Sequence, residues 1–124
     1  MKNLDANSEN TVVEKSFEFA VRIVNLYRFL CNTRNEYVMS KQILRCGTSI
    51  GANITEAQKG QSKADFTAKM QIALKEANET EYWLRLLHRT EYITKEQFAS
   101  MHHDVNELIA LLSSICKSSK ETLK

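Results

Sequence analysis

No proline occurs in the 124 residues of this chain, and glycine occurs only three times. Proline breaks helix interiors and glycine supplies the tight turns of hairpins, so little here interrupts a helix and little feeds a β-hairpin. With 43% hydrophobic residues, the expectation is an all-α fold. The length suits one domain burying roughly two-thirds of its unfolded surface, which allows one compact core and not two.

Four periodic segments emerge. Residues 1–10, MKNLDANSEN, are polar and unpatterned and are expected to be a disordered N-terminal segment. Thr11 with Glu14 forms a capping-box pattern, and apolar periodicity then runs to about Asn32. Thr33 or Asn35 is expected to cap a second helix reaching about Lys59, where Gly60 ends it. Ser62 with Asp65 opens a third, to about Arg89, and Thr94 with Gln97 opens a fourth that fades after Cys116. Residues 118–124 are expected to be a disordered tail, leaving a bundle over 11–117. Long helices joined by short connections predict an up-down-up-down antiparallel four-helix bundle.

Helix four carries one apolar stripe, Phe98, Met101, Val105, Leu108, Ile109, Leu112 and Cys116. Helix one carries two. Val13, Phe17, Ala20, Val24, Tyr27 and Cys31 form one seam, assigned to the core, and Phe19, Ile23, Leu26 and Leu30 form a second on a neighbouring face. Helix three repeats the pattern, with Phe66, Ala73, Ala77, Leu84 and Leu87 as the core stripe and Ile72, Trp83 and Leu86 about a quarter turn away. A four-helix monomer needs only one seam per helix. Contiguous exposed apolar surface usually marks an interface, so the second seams predict a homo-oligomer.

The stretch TSIGANITEA puts small and polar residues where helix two should run. Ile43, Cys46, Gly47, Ile50, Ile54 and Ala57 form its apolar stripe, with Gln42, Ser49, Asn53 and Glu56 in an arc beside it and Arg45 at the border. Glycines at i and i+4 let another helix come close, at about 1 kcal/mol each relative to alanine. Glu76 and Glu79 share the second face of helix three with Trp83. The expectation is a polar ladder in which Arg45 pairs with a glutamate and Asn53 with Glu76 or a backbone carbonyl, fixing register and assembly.

Signals of chemistry are sparse. The formal charge is +2 from 17 basic and 15 acidic side chains, far from a dedicated nucleic-acid module. Phosphate binding would need a local rim, for which Arg22, Arg28, Arg34 and Lys41 on the first two helices, with Lys59 and Lys63 at the next turn, are the candidates. His88 with His102 or His103 and Glu91 could approach one another near zinc-binding distance, but histidines at helix ends are usually just solvated. No nucleophile or phosphate-cradling glycine loop accompanies Glu56, Glu76 and Glu79, so no enzyme, cofactor or metal is expected. Cys31, Cys46 and Cys116 are odd in number and fall on apolar stripes, as reduced core thiols do. With no signal peptide and no apolar run near the ~20 residues of a membrane span, the expected location is cytoplasmic.

The segments SKQILRCGTSIGANITEA, QSKADFTAKMQIALKEANETEYWLRLL and KSFEFAVRIV closely resemble the four-helix-bundle family encoded in intervening sequences of bacterial large-subunit ribosomal RNA genes. That family is loosely labelled ribosomal, and accessory proteins of diversity-generating retroelements look like its relatives. The resemblance implies a ring-shaped homopentamer without established catalysis. In the retroelement relatives the barrel binds nucleic acid and a reverse transcriptase through a basic surface. For this chain the expected partners are therefore itself and structured RNA or an RNA-handling protein, with a pure protein scaffold as the rival and no membrane.

Overall fold

The computed structural model describes the backbone over residues 2–123 and side chains over residues 10–121. Four helices follow one another, α1 Lys2–Asn32, α2 Met39–Ala57, α3 Lys63–Arg89 and α4 Lys95–Leu123, and no strand occurs among the described residues. Each helix packs on the next and α1 also meets α4, whereas among the described residues the backbones of the diagonal pairs make no close approach. Across α1 and α4, Lys15 meets Glu107 and Arg22 meets Asp104; across α3 and α4, Glu81 meets His102 and Thr67 meets Ser119. Rising numbers on one helix pair with falling numbers on the other, so neighbours are antiparallel and the protomer is a square four-helix bundle.

Several boundaries differ from the sequence expectation. α1 begins at Lys2, so Thr11 and Glu14 lie inside a continuous helix and do not start one. Once a helix is nucleated, adding a residue is cheap, and neither proline nor glycine stands in the polar run before Thr11. α4 continues past Cys116 to Leu123, and Ser119 on that extension is buried with its hydroxyl against that of Thr67. Met1 and Lys124, the outermost residues of the two segments expected to be disordered, lie outside the described residues, as do the side chains of 2–9 and 122–123. α2 ends at Ala57, a little short of Lys59.

Neither Thr33 nor Asn35 caps α2. The buried carboxylate of Glu36 does so, accepting from the backbone N–H of Val38 at 3.2 Å, Met39 at 3.0 Å and Ser40 at 2.7 Å. A negative charge among unpaired N–H groups is where the helix dipole favours it. Asn35, at φ 57°, turns the chain so that Glu36 can reach back. The other two starts follow expectation: Ser62 Oγ accepts from Asp65 N at 3.1 Å, and Thr94 and Gln97 cap one another reciprocally.

The core is built from Ile43, Ile50 and Ile54 of α2, Ala73, Ala77, Leu84 and Leu87 of α3, and Val105, Leu108 and Leu112 of α4, all buried as expected. On α1 the assignment is reversed. Phe19, Ile23, Leu26 and Leu30, expected to be the oligomer seam, are 0–8% exposed in the bundle interior, whereas Phe17 of the expected core seam is 65% exposed. Two contacts explain the reversal. A Cβ added to Gly47 would lie 2.8 Å from Ile23 Cδ1 and Cγ1, so the glycine notch of α2 is filled by the Ile23 row. Lys15 and Arg22, which flank that row, are drawn onto Glu107 and Asp104 of α4. The expected close approach holds at both glycines, since a Cβ added to Gly51 would likewise lie 3.3 Å from the Ser16 carbonyl oxygen of α1.

Candidate assembly face and nucleic-acid interface

The reversal leaves the other α1 seam facing outward. Phe17 and Val21 are exposed, and Val13, Ala20, Val24, Tyr27 and Cys31 are half-buried. This strip lies on the α2 side of α1, where Cys31 Sγ approaches Ser40 Oγ at 3.7 Å. A second strip, on the α2 side of α3, carries Ile72 at 41% exposure with half-buried Trp83 and Leu86, and exposed Tyr82 meets Trp83 edge-on at 5.1 Å. The two strips therefore flank α2 on adjacent faces of the square.

Part of the polar ladder assembles beside the second strip. Arg45 Nη2 donates to Glu79 Oε2 at 2.5 Å, Nη1 lies 3.6 Å from Glu76 Oε1, and Trp83 Nε1–H donates to the same Glu79 oxygen at 3.3 Å. Exposure of the guanidinium keeps such a pair weak, at about 0–1 kcal/mol, so its contribution is to register more than to stability. The rest of the ladder does not cross between helices. Ser49 donates to the Arg45 carbonyl and Asn53 to the Ser49 carbonyl, both within α2, while Gln42 and Glu56 stand exposed. Behind the ladder, Cys46 is fully buried beside Thr80 Oγ1 at 3.2 Å, and burial pushes its thiol up to about 11.

The expected phosphate rim is not one surface. Arg22 is consumed by Asp104 at 2.5 Å and by Ser100, so it ties α1 to α4. Arg34 donates to the Glu91 carbonyl at 3.0 Å and lies over the Tyr92 ring at 5.5 Å. Arg28, Arg34 and Lys41 gather near the α1–α2 connection, whereas Lys59 and Lys63 lie at the α2–α3 turn, the far end of a 19-residue helix and roughly 28 Å away at 1.5 Å per residue.

His88 and His102 do come near one another, but Phe98 is sandwiched between them, stacked at 4.5 Å on one side and 4.7 Å on the other. His102 Nε2 sits 2.8 Å from Glu81 Oε2, and no group of three potential metal ligands forms among the described residues. Sequence reasoning missed Glu36, Glu81 and Asp104. The last two had a signal in the spacing of charges on α3, α4 and α1 that face one another once the helices are paired; Glu36 had none, because its role depends on the turn at Asn35.

A square antiparallel bundle with two surplus apolar strips and a polar ladder defines a class of helical-bundle protein, and similarity to known sequences narrows it. The family described as 23S rRNA-intervening sequence protein matches residues 8–114, so the chain belongs to that family. A solved structure of a protein of unknown function from the S23 ribosomal protein family of Bacteroides thetaiotaomicron VPI-5482 is 66% identical, with a TM-score of 0.87, covering 89% of this chain and 98% of its own. No curated protein matches the chain. No helix among the described residues is long and apolar enough to cross a membrane.

Proposed function

We propose that the chain is a non-catalytic, self-assembling bundle whose assembled form presents basic surface to RNA. The observation that carries the assembly is the pair of apolar strips flanking α2, one led by Phe17 and the other by Ile72 and Trp83. They are different surfaces on adjacent faces, so the contact between copies is head-to-tail, and a turn at each contact closes a ring where the rotation permits. The homopentamer implied by the family resemblance is such a ring. The Arg45–Glu79 ladder beside the second strip sets the register of the joint.

RNA enters at the end of the bundle that holds the α1–α2 connection, where the exposed cations Arg28 and Lys41 make no ion pair among the described residues. Repetition around a ring multiplies weak phosphate contacts into a usable avidity. Light scattering of the purified protein is expected to give a mass several times 14.3 kDa. A single-chain mass at all concentrations would overturn the assembly, and no retention of RNA at low salt in a gel shift would favour the scaffold without nucleic acid.

A further inference from the structure

Three shallow grooves lie on the sides of the protomer that border α4, and the first of them adjoins the α3 strip at Tyr82 and Leu86. The first, about 400 Å³, lies against α3 and α4 and is lined by Arg85, His88, Arg89 and Phe98, with Tyr82 and Leu86 at its outer edge. The second, about 390 Å³, lies over the α3–α4 turn, shares His88 with the first, and is lined by Arg34, Tyr92 and Lys95. The third, about 260 Å³, shares Phe29 and Gln97 with the second and runs along α1 and α4 past Arg22. The shared residues make one continuous path around the end of the bundle.

The charge along this path has one sign. Arg22, Arg34, Arg85, Arg89 and Lys95 line it against a single carboxylate, Glu91. Two of these cations are already paired, Arg22 with Asp104 at 2.5 Å and Arg85 with Glu81 at 3.9 Å, which leaves Arg34, Arg89 and Lys95 without an ion pair among the described residues. Two half-buried rings stand among the cations, Tyr92 with the Arg34 guanidinium over it at 5.5 Å and Phe29, while Phe98 is closed between His88 and His102 and offers no face. Cations that track a backbone, alternating with rings on which unpaired bases stack, are what single strands require. A duplex hides its base faces and would leave those rings idle.

We propose that this groove binds single-stranded RNA, with Arg34, Tyr92 and Lys95 at its centre. The proposal rests on the nucleic-acid part of the reading above and narrows it, since the resemblance implied structured RNA and the groove selects its unpaired segments. An acidic protein segment would use the same cations without needing the ring of Tyr92.

The test is fluorescence anisotropy at low salt with a labelled oligouridine of about 15 nucleotides, near the upper end of known single-strand site sizes, against a duplex RNA of equal length. The single strand is expected to bind at least about tenfold tighter. Tyr92→Leu should weaken it about tenfold, the size of one lost stacking contact. Arg89→Gln with Lys95→Gln, both exposed, should lower the salt slope by about 1.4, or about 0.7 for each phosphate contact on a single strand. Lys59→Gln with Lys63→Gln, at the opposite end, should leave binding unchanged. Equal or tighter binding of duplex, or an equal loss from the Lys59 and Lys63 changes, would overturn the groove. Loss on charge removal with none from a folded Tyr92→Leu would also overturn it, in favour of an acidic-segment site. Failure of both RNAs to bind would remove the nucleic-acid reading itself and leave self-assembly standing.

Discussion

The two apolar seams of α1 are nearly equal in the sequence and opposite in the structure. Phe19, Ile23, Leu26 and Leu30 disappear into the bundle, while Phe17 and Val21 face outward beside half-buried Val13, Val24 and Tyr27. Hydrophobic content does not separate them, because both contain a phenylalanine and branched aliphatics. What separates them is the surface each meets: the inner row fits the notch at Gly47 and is bordered by the cations that α4 neutralises. Periodicity reports that a helix face is apolar, whereas the partner of that face is a tertiary property.

The sharpest way to break this contrast is to charge the inner seam. Ile23 is fully buried, so Ile23→Glu places a carboxylate where no partner exists and should cost at least several kcal/mol, a large share of a domain's stability. Loss of the cooperative thermal transition in circular dichroism is expected; a melt close to wild type would mean that Ile23 is not the core row. A smaller effect is expected at the notch. Gly47→Ala introduces a contact at 2.8 Å with Ile23, and overpacking of about 1–3 kcal/mol exceeds the ~1 kcal/mol that helix propensity returns. The urea midpoint should fall, and adding Ile23→Val should recover part of the loss, because the two residues share one contact.

How much was legible follows from the same physics. Helix number, antiparallel order, the glycine contact and the caps at Ser62 and Thr94 are local or periodic features, and composition without proline made them plain. The Arg45–glutamate pair was also legible, because both partners lie on faces fixed by the helix repeat. The identity of the core seam on α1 and the cap by Glu36 were not, since each is decided by residues far away or by one turn at positive φ. The phosphate rim was legible only as charge: its cations stand at opposite ends of α2 or, like Arg22, are already paired.

The cysteines offer a subtler probe of inner against outer. Unfolded Cys46 ionises near 9.0, while in the fold burial holds it protonated to about 11. Between those values the unfolded state binds fewer protons, so stability should fall as pH rises from about 9 to about 11. Cys46→Ser should flatten that slope in thermal melts, and an unchanged slope would place its origin elsewhere. In the dissociated Phe17→Glu variant, Cys31, half-buried on the outer strip, should react with a thiol reagent before Cys46 and Cys116, which are buried.

The central claim is that one helix serves two purposes, its inner seam making the protomer and its outer seam making the assembly. The most direct measurement is the light-scattering mass of Phe17→Glu beside that of wild type, with circular dichroism on both. Phe17 is 65% exposed in the protomer, so the change should leave helix content and melting of the single chain intact. The predicted result is a wild-type oligomer and a folded variant near 14.3 kDa. A variant that keeps the full wild-type mass would contradict the account, because the outer seam of α1 would then have no part in joining copies.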